Sequence, residues 1–73
     1  MADARKNRDK LMSMMAMSEE ITRTNNKIYR DLSTLAENPE MKDNLYNSID
    51  DLIGKVNKLK SIELGNNFIE QEQ

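Results

Sequence analysis

The chain has 73 residues and a formal net charge of −2, and it contains neither cysteine nor histidine. Without these residue types it lacks the usual ligands of a structural zinc site, the bonds of a disulfide scaffold and the base of a Ser-His or Cys-His catalytic centre. The charged third of the residues carries both signs, which is typical neither of a polyanion-binding protein nor of an acidic disordered tail. Because a chain this short is marginally stable alone, association is the device that remains to stabilise it.

Residues 1–10 carry four basic side chains and no apolar stripe. Positive charge at the start of a helix opposes the helix dipole, so these residues are predicted to form a frayed basic arm. The apolar run that follows, from Leu11 to Met17, is interrupted by Ser13, and we expect no secretory signal peptide. A membrane-spanning helix needs roughly 20 apolar residues, which no stretch of the chain approaches. We therefore expect an intracellular, cytoplasmic protein.

A first helix is predicted over residues 11–36, because apolar side chains recur there at steps of three, four or seven. Read as heptads, the pattern places Ser18 and Asn25 at core positions. A polar residue at such a position can fix register and oligomer state, and the alternative is that the seam is locally solvated. The apolar stripe consists of Leu11, Met14, Met17, Ile21, Ile28, Leu32 and Leu35.

Methionine fills four of the six positions from Met12 to Met17. Flexible thioethers adapt to irregular partner surfaces, so Met12 and Met15 are candidate contacts for a partner. The alternative is that these methionines fill gaps at a loosely packed helix end. Met12 fits this alternative least well, since on a helical wheel it points nearly opposite to the apolar stripe.

The segment from Glu37 to Glu40 predicts a reversal. Asn38 can cap a new helix, Pro39 suits its first position, and the proline also closes the preceding helix. A second helix is predicted over residues 39–64, because the residues at 65–67 tolerate the left-handed turn that ends a helix. Its stripe repeats at steps of three or four and consists of Met41, Leu45, Ile49, Leu52, Val56 and Leu59.

Two helices of matched length and a short connection predict an all-α antiparallel helical hairpin, followed by a flexible acidic tail over residues 65–73. A continuous helix kinked at Pro39 within a larger coiled coil is the alternative. Apolar side chains that flank a single seam, such as Met15, Ile53 and Ile62, are expected to stay exposed to water in an isolated hairpin. We therefore expect self-association, or docking on a helical partner, to complete a four-helix bundle or coiled coil.

The predicted function is a non-enzymatic protein–protein interaction module, a small helical subunit or regulator. No cofactor, metal, catalytic residue or small-molecule substrate is expected, since the adjacent Asp50 and Asp51 point about 100° apart on a helix and cannot act as a pair. Asp51 is predicted to form a surface pair with Lys55. The predicted partner-binding residues are Leu11, Met12, Met14, Met15, Met17, Ile21, Ile28, Leu32, Leu35, Leu45, Ile49, Leu52, Ile53, Val56 and Leu59.

A basic stripe on the first helix offers an alternative function. Arg23, Lys27 and Arg30 lie on its outward face, and a symmetric pair of helical hairpins can use such a stripe to bind RNA. However, Glu19 and Asp31 stand four residues from Arg23 and Lys27. This spacing is typical of ion pairs on a solvated helix face, so we do not expect nucleic acid to be the partner.

Residues 45–53 resemble the second helix of the small helical-hairpin aspartyl-phosphate phosphatases that act on sporulation response regulators. The signature of that family is Ser-Gln-Glu-Leu-Asp followed by x-Leu-Ile. The matching residues are Leu45, Asp50, Leu52 and Ile53, with Ile49 in place of leucine, whereas Tyr46, Asn47 and Ser48 stand where the family has Ser-Gln-Glu. The resemblance implies a second alternative, in which Asp50 is the functional carboxylate.

Overall fold

The computed structural model describes residues 2–69, with the side chains of residues 4–69, as two packed helices. Helix α1 spans Ala2–Thr34, and a 3-10 turn at Pro39–Met41 leads into helix α2 at Lys42–Lys60. The helices run antiparallel in a body of 63 × 16 × 12 Å. The predicted all-α helical hairpin is confirmed, and the chain does not continue as one helix through Pro39. Met1 and residues 70–73 of the predicted arm and tail lie outside the described residues.

The reversal at Pro39 uses Asn38 differently from the prediction. Asn38 makes no side-chain hydrogen bond to the turn that follows it. Instead its backbone N–H and its Nδ2 donate to the carbonyl oxygen of Thr34, at 2.9 and 3.5 Å. Carbonyl groups in the last turn of a helix have no partner within the helix, and Asn38 satisfies one of them. It therefore closes α1, while Pro39 starts the next turn without needing an N–H partner.

Helix α1 begins at Ala2, so residues 2–10 are helical and the predicted frayed arm is wrong for them. Asn7 explains the difference, because this side chain is 3% exposed and bonded on both sides. Its Nδ2 donates to the carbonyl of Asn67 at 2.7 Å, and its Oδ1 accepts from the N–H of Gly65 at 2.9 Å. These long-range bonds hold the first turns of α1 in place against the unfavourable effect of their positive charge on the dipole.

Helix α2 ends at Lys60 and not at the predicted Leu64. The predicted left-handed turn is absent, since no described residue has a positive φ. After Ser61 the chain runs without regular structure beside α1, where Lys10 Nζ donates to the carbonyl of Glu63 at 2.8 Å. A Cβ at Gly65 would lie 3.1 Å from Asn7 Nδ2. The glycine therefore permits a close approach to α1, and the described part of the predicted tail packs against the hairpin.

The seam between the helices contains polar as well as apolar side chains. Ile28 and Leu45 are 7% and 4% exposed, and Thr24 and Ser48 are buried beside them. On α1 and just after it, the side chains facing α2 are Met14, Met17, Ile21, Thr24, Ile28, Asp31 and Leu35. On α2 and the turns that flank it, those facing α1 are Met41, Leu45, Ser48, Leu52, Lys55, Leu59 and Ile62. Both series advance by alternating steps of three and four, as in heptad packing.

The predicted polar positions of α1 are wrong for this seam. Ser18 and Asn25 are exposed, and Thr24 is buried instead. A polar side chain can be buried where it finds a hydrogen-bond partner, and Lys55 of α2 supplies one to Thr24. The seam of α1 is therefore rotated by part of a turn from the stripe expected from its sequence.

Candidate interaction face

Lys55 is the centre of a polar network that joins the two helices along one edge of the seam. Its Nζ donates to Thr24 Oγ1 at 2.9 Å and lies 3.1 Å from Asp51 Oδ2 and 3.4 Å from Glu20 Oε2. The hydrogen bond to Asp51 raises the pKa of Lys55, and the charges of Asp51 and Glu20 add to this effect against the opposing effect of desolvation. The predicted Asp51–Lys55 pair is confirmed.

A second cross-helix bond lies along the same edge, about two turns nearer the reversal than the Glu20–Lys55 pair. Lys27 Nζ donates to the Oγ of the buried Ser48 at 3.1 Å. Arg23, one turn earlier on α1, pairs with Glu20 at 3.6 Å. Two residues of the predicted basic stripe thus have partners other than those expected, since Arg23 pairs with Glu20 instead of Glu19 and Lys27 bonds to Ser48 instead of Asp31. We call this side of the hairpin the polar face.

The other edge of each helix carries a row of mostly uncharged side chains. On α1 the row is Leu11, Met15, Ser18, Thr22, Asn25, Tyr29 and Leu32, at alternating steps of four and three. On α2 it is Tyr46, Ile49, Ile53, Val56 and Lys60, at alternating steps of three and four. Large apolar side chains in both rows are strongly exposed, including Tyr29 at 72%, Met15 at 67% and Ile53 at 51%.

The two rows lie on the same side of the hairpin. Each helix has two edges beside the seam. Glu20 and Lys27 on one edge of α1 line the same surface recess as Asp51 on one edge of α2, and Lys55 pairs with both Glu20 and Asp51. Those edges therefore share the polar face. With 3.6 residues per turn, each row lies on the edge of its helix opposite to the polar edge. The two rows therefore share the other side of the hairpin. We call this side, defined by the two rows above, the apolar face.

The structure divides the predicted partner-binding residues into four groups. Ile28 and Leu45 are buried within the hairpin, and the half-buried residues are Met14, Met17, Ile21, Leu35, Ile49, Leu52 and Leu59. The residues exposed on the apolar face are Leu11, Met15, Leu32, Ile53 and Val56. Met12 is 69% exposed on the outer side of α1, away from the seam.

Sequence reasoning missed two aromatic side chains of the apolar face. Tyr29 and Tyr46 are exposed at 72% and 55%. Their spacing contained the signal, since Tyr29 stands three residues before Leu32 and Tyr46 three residues before Ile49. Tyrosine presents a broad apolar ring with a polar tip, which suits it to a helix contact at the edge of an interface.

Few side chains among the described residues are grouped as a catalytic or metal-binding site would require. Asp50, the carboxylate implied by the phosphatase resemblance, is exposed on α2, and the neighbouring Ser48 is buried in the seam. Within residues 4–69 no three acidic, histidine or cysteine side chains are placed to hold a metal ion. Neither α1 nor α2, as described, is long and apolar enough to cross a membrane.

Comparison with known proteins finds no relative of this chain. No protein-family model matches it, and neither a curated protein nor a solved structure matches it significantly. Its function is therefore inferred from the hairpin's own geometry.

Proposed function

We propose that the chain is a non-enzymatic protein–protein interaction module that binds a helical partner through its apolar face. The observation that carries this proposal is the coincidence of exposed apolar residues from both helices on one side of a thin body. Burying one such side chain contributes about 1.5–3 kcal/mol, which is large against the roughly 5–15 kcal/mol that stabilises a typical domain. In this role the chain is a small subunit or regulator of a larger helical assembly.

The polar face is less suited to a partner. Lys27 and Lys55 already donate to groups of their own chain. A phosphate approaching them would also meet the carboxylates of Glu20 and Asp51, whose charge opposes the attraction on which nucleic-acid binding depends. The apolar face has the opposite property, since contact with a partner helix removes apolar surface from water.

Site-specific photo-cross-linking in the native cells tests this proposal. A photoreactive residue at position 53 stands in the middle of the apolar face, and the same residue at Lys58 is a matched control on the polar side of α2. We expect protein adducts from position 53 and few from position 58. Adducts of equal yield at both positions, or none from position 53, would contradict an interaction through this face.

A further inference from the structure

We infer that the helical partner is a second copy of this chain, related to the first by a twofold axis that crosses the apolar face near Thr22 and Ile53. This inference rests on the proposed function and names the occupant of the same face. A twofold contact between identical chains is isologous, so its surface must be complementary to itself. The apolar face meets this condition in both of its rows.

The row on α1 has the same pattern in both directions from Thr22. On either side it carries one polar residue and then two apolar ones. A twofold axis perpendicular to α1 lays two copies of the row antiparallel, so the palindromic pattern pairs polar with polar and apolar with apolar. The pairs are Leu11 with Leu32, Met15 with Tyr29, Ser18 with Asn25, and Thr22 with its own copy.

The side chains of these pairs have compatible chemistry. Thioether sulfur contacts aromatic rings favourably, which suits Met15 against Tyr29. The amide of Asn25 can exchange a hydrogen bond with the hydroxyl of Ser18. At the axis, Thr22 Oγ1 already donates to the backbone carbonyl of Ser18 in its own helix, at 3.0 Å. The two Thr22 methyl groups can therefore meet without leaving an unpaired hydroxyl donor between them.

The row on α2 is complementary to itself about Ile53. In an antiparallel pair of α2 helices Ile53 meets its own copy, and Ile49 meets Val56. Tyr46 then meets Lys60, and a lysine ammonium over a tyrosine ring is a favourable cation–π pair. The single charge in the row thus falls opposite an aromatic ring at the rim.

A single twofold axis can pass through the centres of both rows, because these centres lie at the same level along the helices. Glu20 pairs with Lys55 across the seam. Thr22 follows Glu20 by two residues, and Ile53 precedes Lys55 by two residues. Antiparallel helices with equal rise per residue therefore bring Thr22 level with Ile53. This alignment of Thr22 with Ile53 does not follow from the residue pattern of either row. A dimer with a single twofold axis requires it.

The alternative dimer, with α1 packed on α2 of the second copy, matches poorly. An axis parallel to the helices would pair residues of equal height, setting Asn25 beside Ile49 and Ser18 beside Val56. Polar groups that lose water without gaining a hydrogen bond are costly to bury. The face therefore favours α1 on α1 and α2 on α2.

Single-cysteine variants test this register in a chain that has no cysteine of its own. Thr22→Cys places a thiol at the axis, and Arg23→Cys places one on the neighbouring residue, whose side chain is 68% exposed and paired with Glu20. We expect air oxidation to convert Thr22→Cys into a covalent dimer at least about tenfold faster than Arg23→Cys, with helical content retained. Ile53→Cys is a second axial variant and is expected to behave like Thr22→Cys.

Two results would overturn the inference. If Thr22→Cys and Ile53→Cys cross-link with each other faster than either does with itself, α1 packs on α2 and the register is wrong. If the parent chain sediments as a monomer at millimolar concentration, the occupant is not a second copy. In that case, adducts of a different protein at position 53 in cells would still support the proposed function. The absence of any adduct there would contradict the proposed function too.

Discussion

The two faces of the hairpin are built from the same two helices but are completed in different ways. On the polar face, Lys27 and Lys55 donate to side chains across the seam, so these two cations find partners within the hairpin. On the apolar face, Tyr29, Ile53 and their neighbours stay exposed. The lysines of the polar face are thus partnered within the hairpin, whereas we propose that another chain covers the apolar face.

The two faces also differ in what they contribute. Ion pairs and hydrogen bonds at an exposed edge stabilise a fold weakly, but their geometry fixes how the helices are aligned. Bonds such as that between Lys55 and Thr24 are therefore suited to setting the register of α1 against α2. Apolar surface is less directional and contributes more free energy once covered. The predictions below separate these roles.

The largest effect is expected for Leu45→Ala. Leu45 is 4% exposed in the seam, so truncation leaves a cavity and should lower the free energy of unfolding by about 2–5 kcal/mol. Leu32→Ala is the matched control, since Leu32 is 54% exposed on the apolar face. Urea denaturation at micromolar concentration measures both. Equal losses in dilute solution would show that the seam and the apolar face have been assigned wrongly.

A smaller loss is expected for Asn7→Ala. The substitution leaves the N–H of Gly65 and the carbonyl of Asn67 without their buried partner, which should cost about 1–3 kcal/mol. Asn26→Ala, at an exposed position of the same helix, should be neutral or slightly stabilising because alanine favours helix. Amide hydrogen exchange should show the protection of residues 3–10 falling selectively in the first variant. Unchanged protection there would mean that Asn7 does not hold this end of α1.

Gly54→Ala should stabilise the chain by about 0.5–1 kcal/mol, because alanine loses less backbone entropy in a helix than glycine. Gly54 lies inside α2, and no atom stands within 4 Å of the position its Cβ would take. Thermal unfolding followed by circular dichroism gives the measurement. A destabilised variant would reveal that another surface covers this outer side of α2.

The smallest effect is expected for Lys55→Met at neutral pH, since the ion pair with Asp51 stays in contact with water, with the two side chains 31% and 59% exposed. The raised pKa of Lys55 sets the sign of the pH dependence. Its contribution to stability is complete below the ordinary lysine pKa of about 10.4 and is lost as the pH rises through the higher value of the folded state. The stability of the parent should therefore approach that of the variant as the pH rises above about 10.4. Parallel stability curves would show that the charge of Lys55 contributes nothing.

The local sequence pattern was sufficient to predict the two helices and the reversal between them. Pro39 disfavours helical geometry at the residue before it, and Leu45 and Leu52 of the predicted stripe mark the inner side of α2. Two other members of that stripe, Ile49 and Val56, lie on the apolar face instead, where Val56 is 42% exposed. These signals depend on residues close in sequence, so they could be recognised without knowing the packing.

Features set by distant contacts could not be predicted in the same way. The helical start of α1 depends on Asn7 bonding to residues 65–67, and neither segment alone signals the other. The choice of Thr24 over Asn25 for the seam depends on Lys55, which enters from the other helix. Asn25 is thereby left on the apolar face, where the proposed dimer gives it the register-setting role that its heptad position indicated.

Sedimentation equilibrium over a dilution series tests the central claim most directly, which is that a second copy covers the apolar face. The parent chain is expected to have the mass of a dimer and to dissociate on dilution. In Ile53→Glu two carboxylates meet at the axis, which should weaken association by more than about 100-fold, since an unpaired buried charge costs roughly 3–5 kcal/mol. Lys58→Glu, on the polar side of α2, should still form dimers. A parent chain that remains a monomer at every concentration, or an Ile53→Glu variant that associates as tightly as the parent, would contradict the claim.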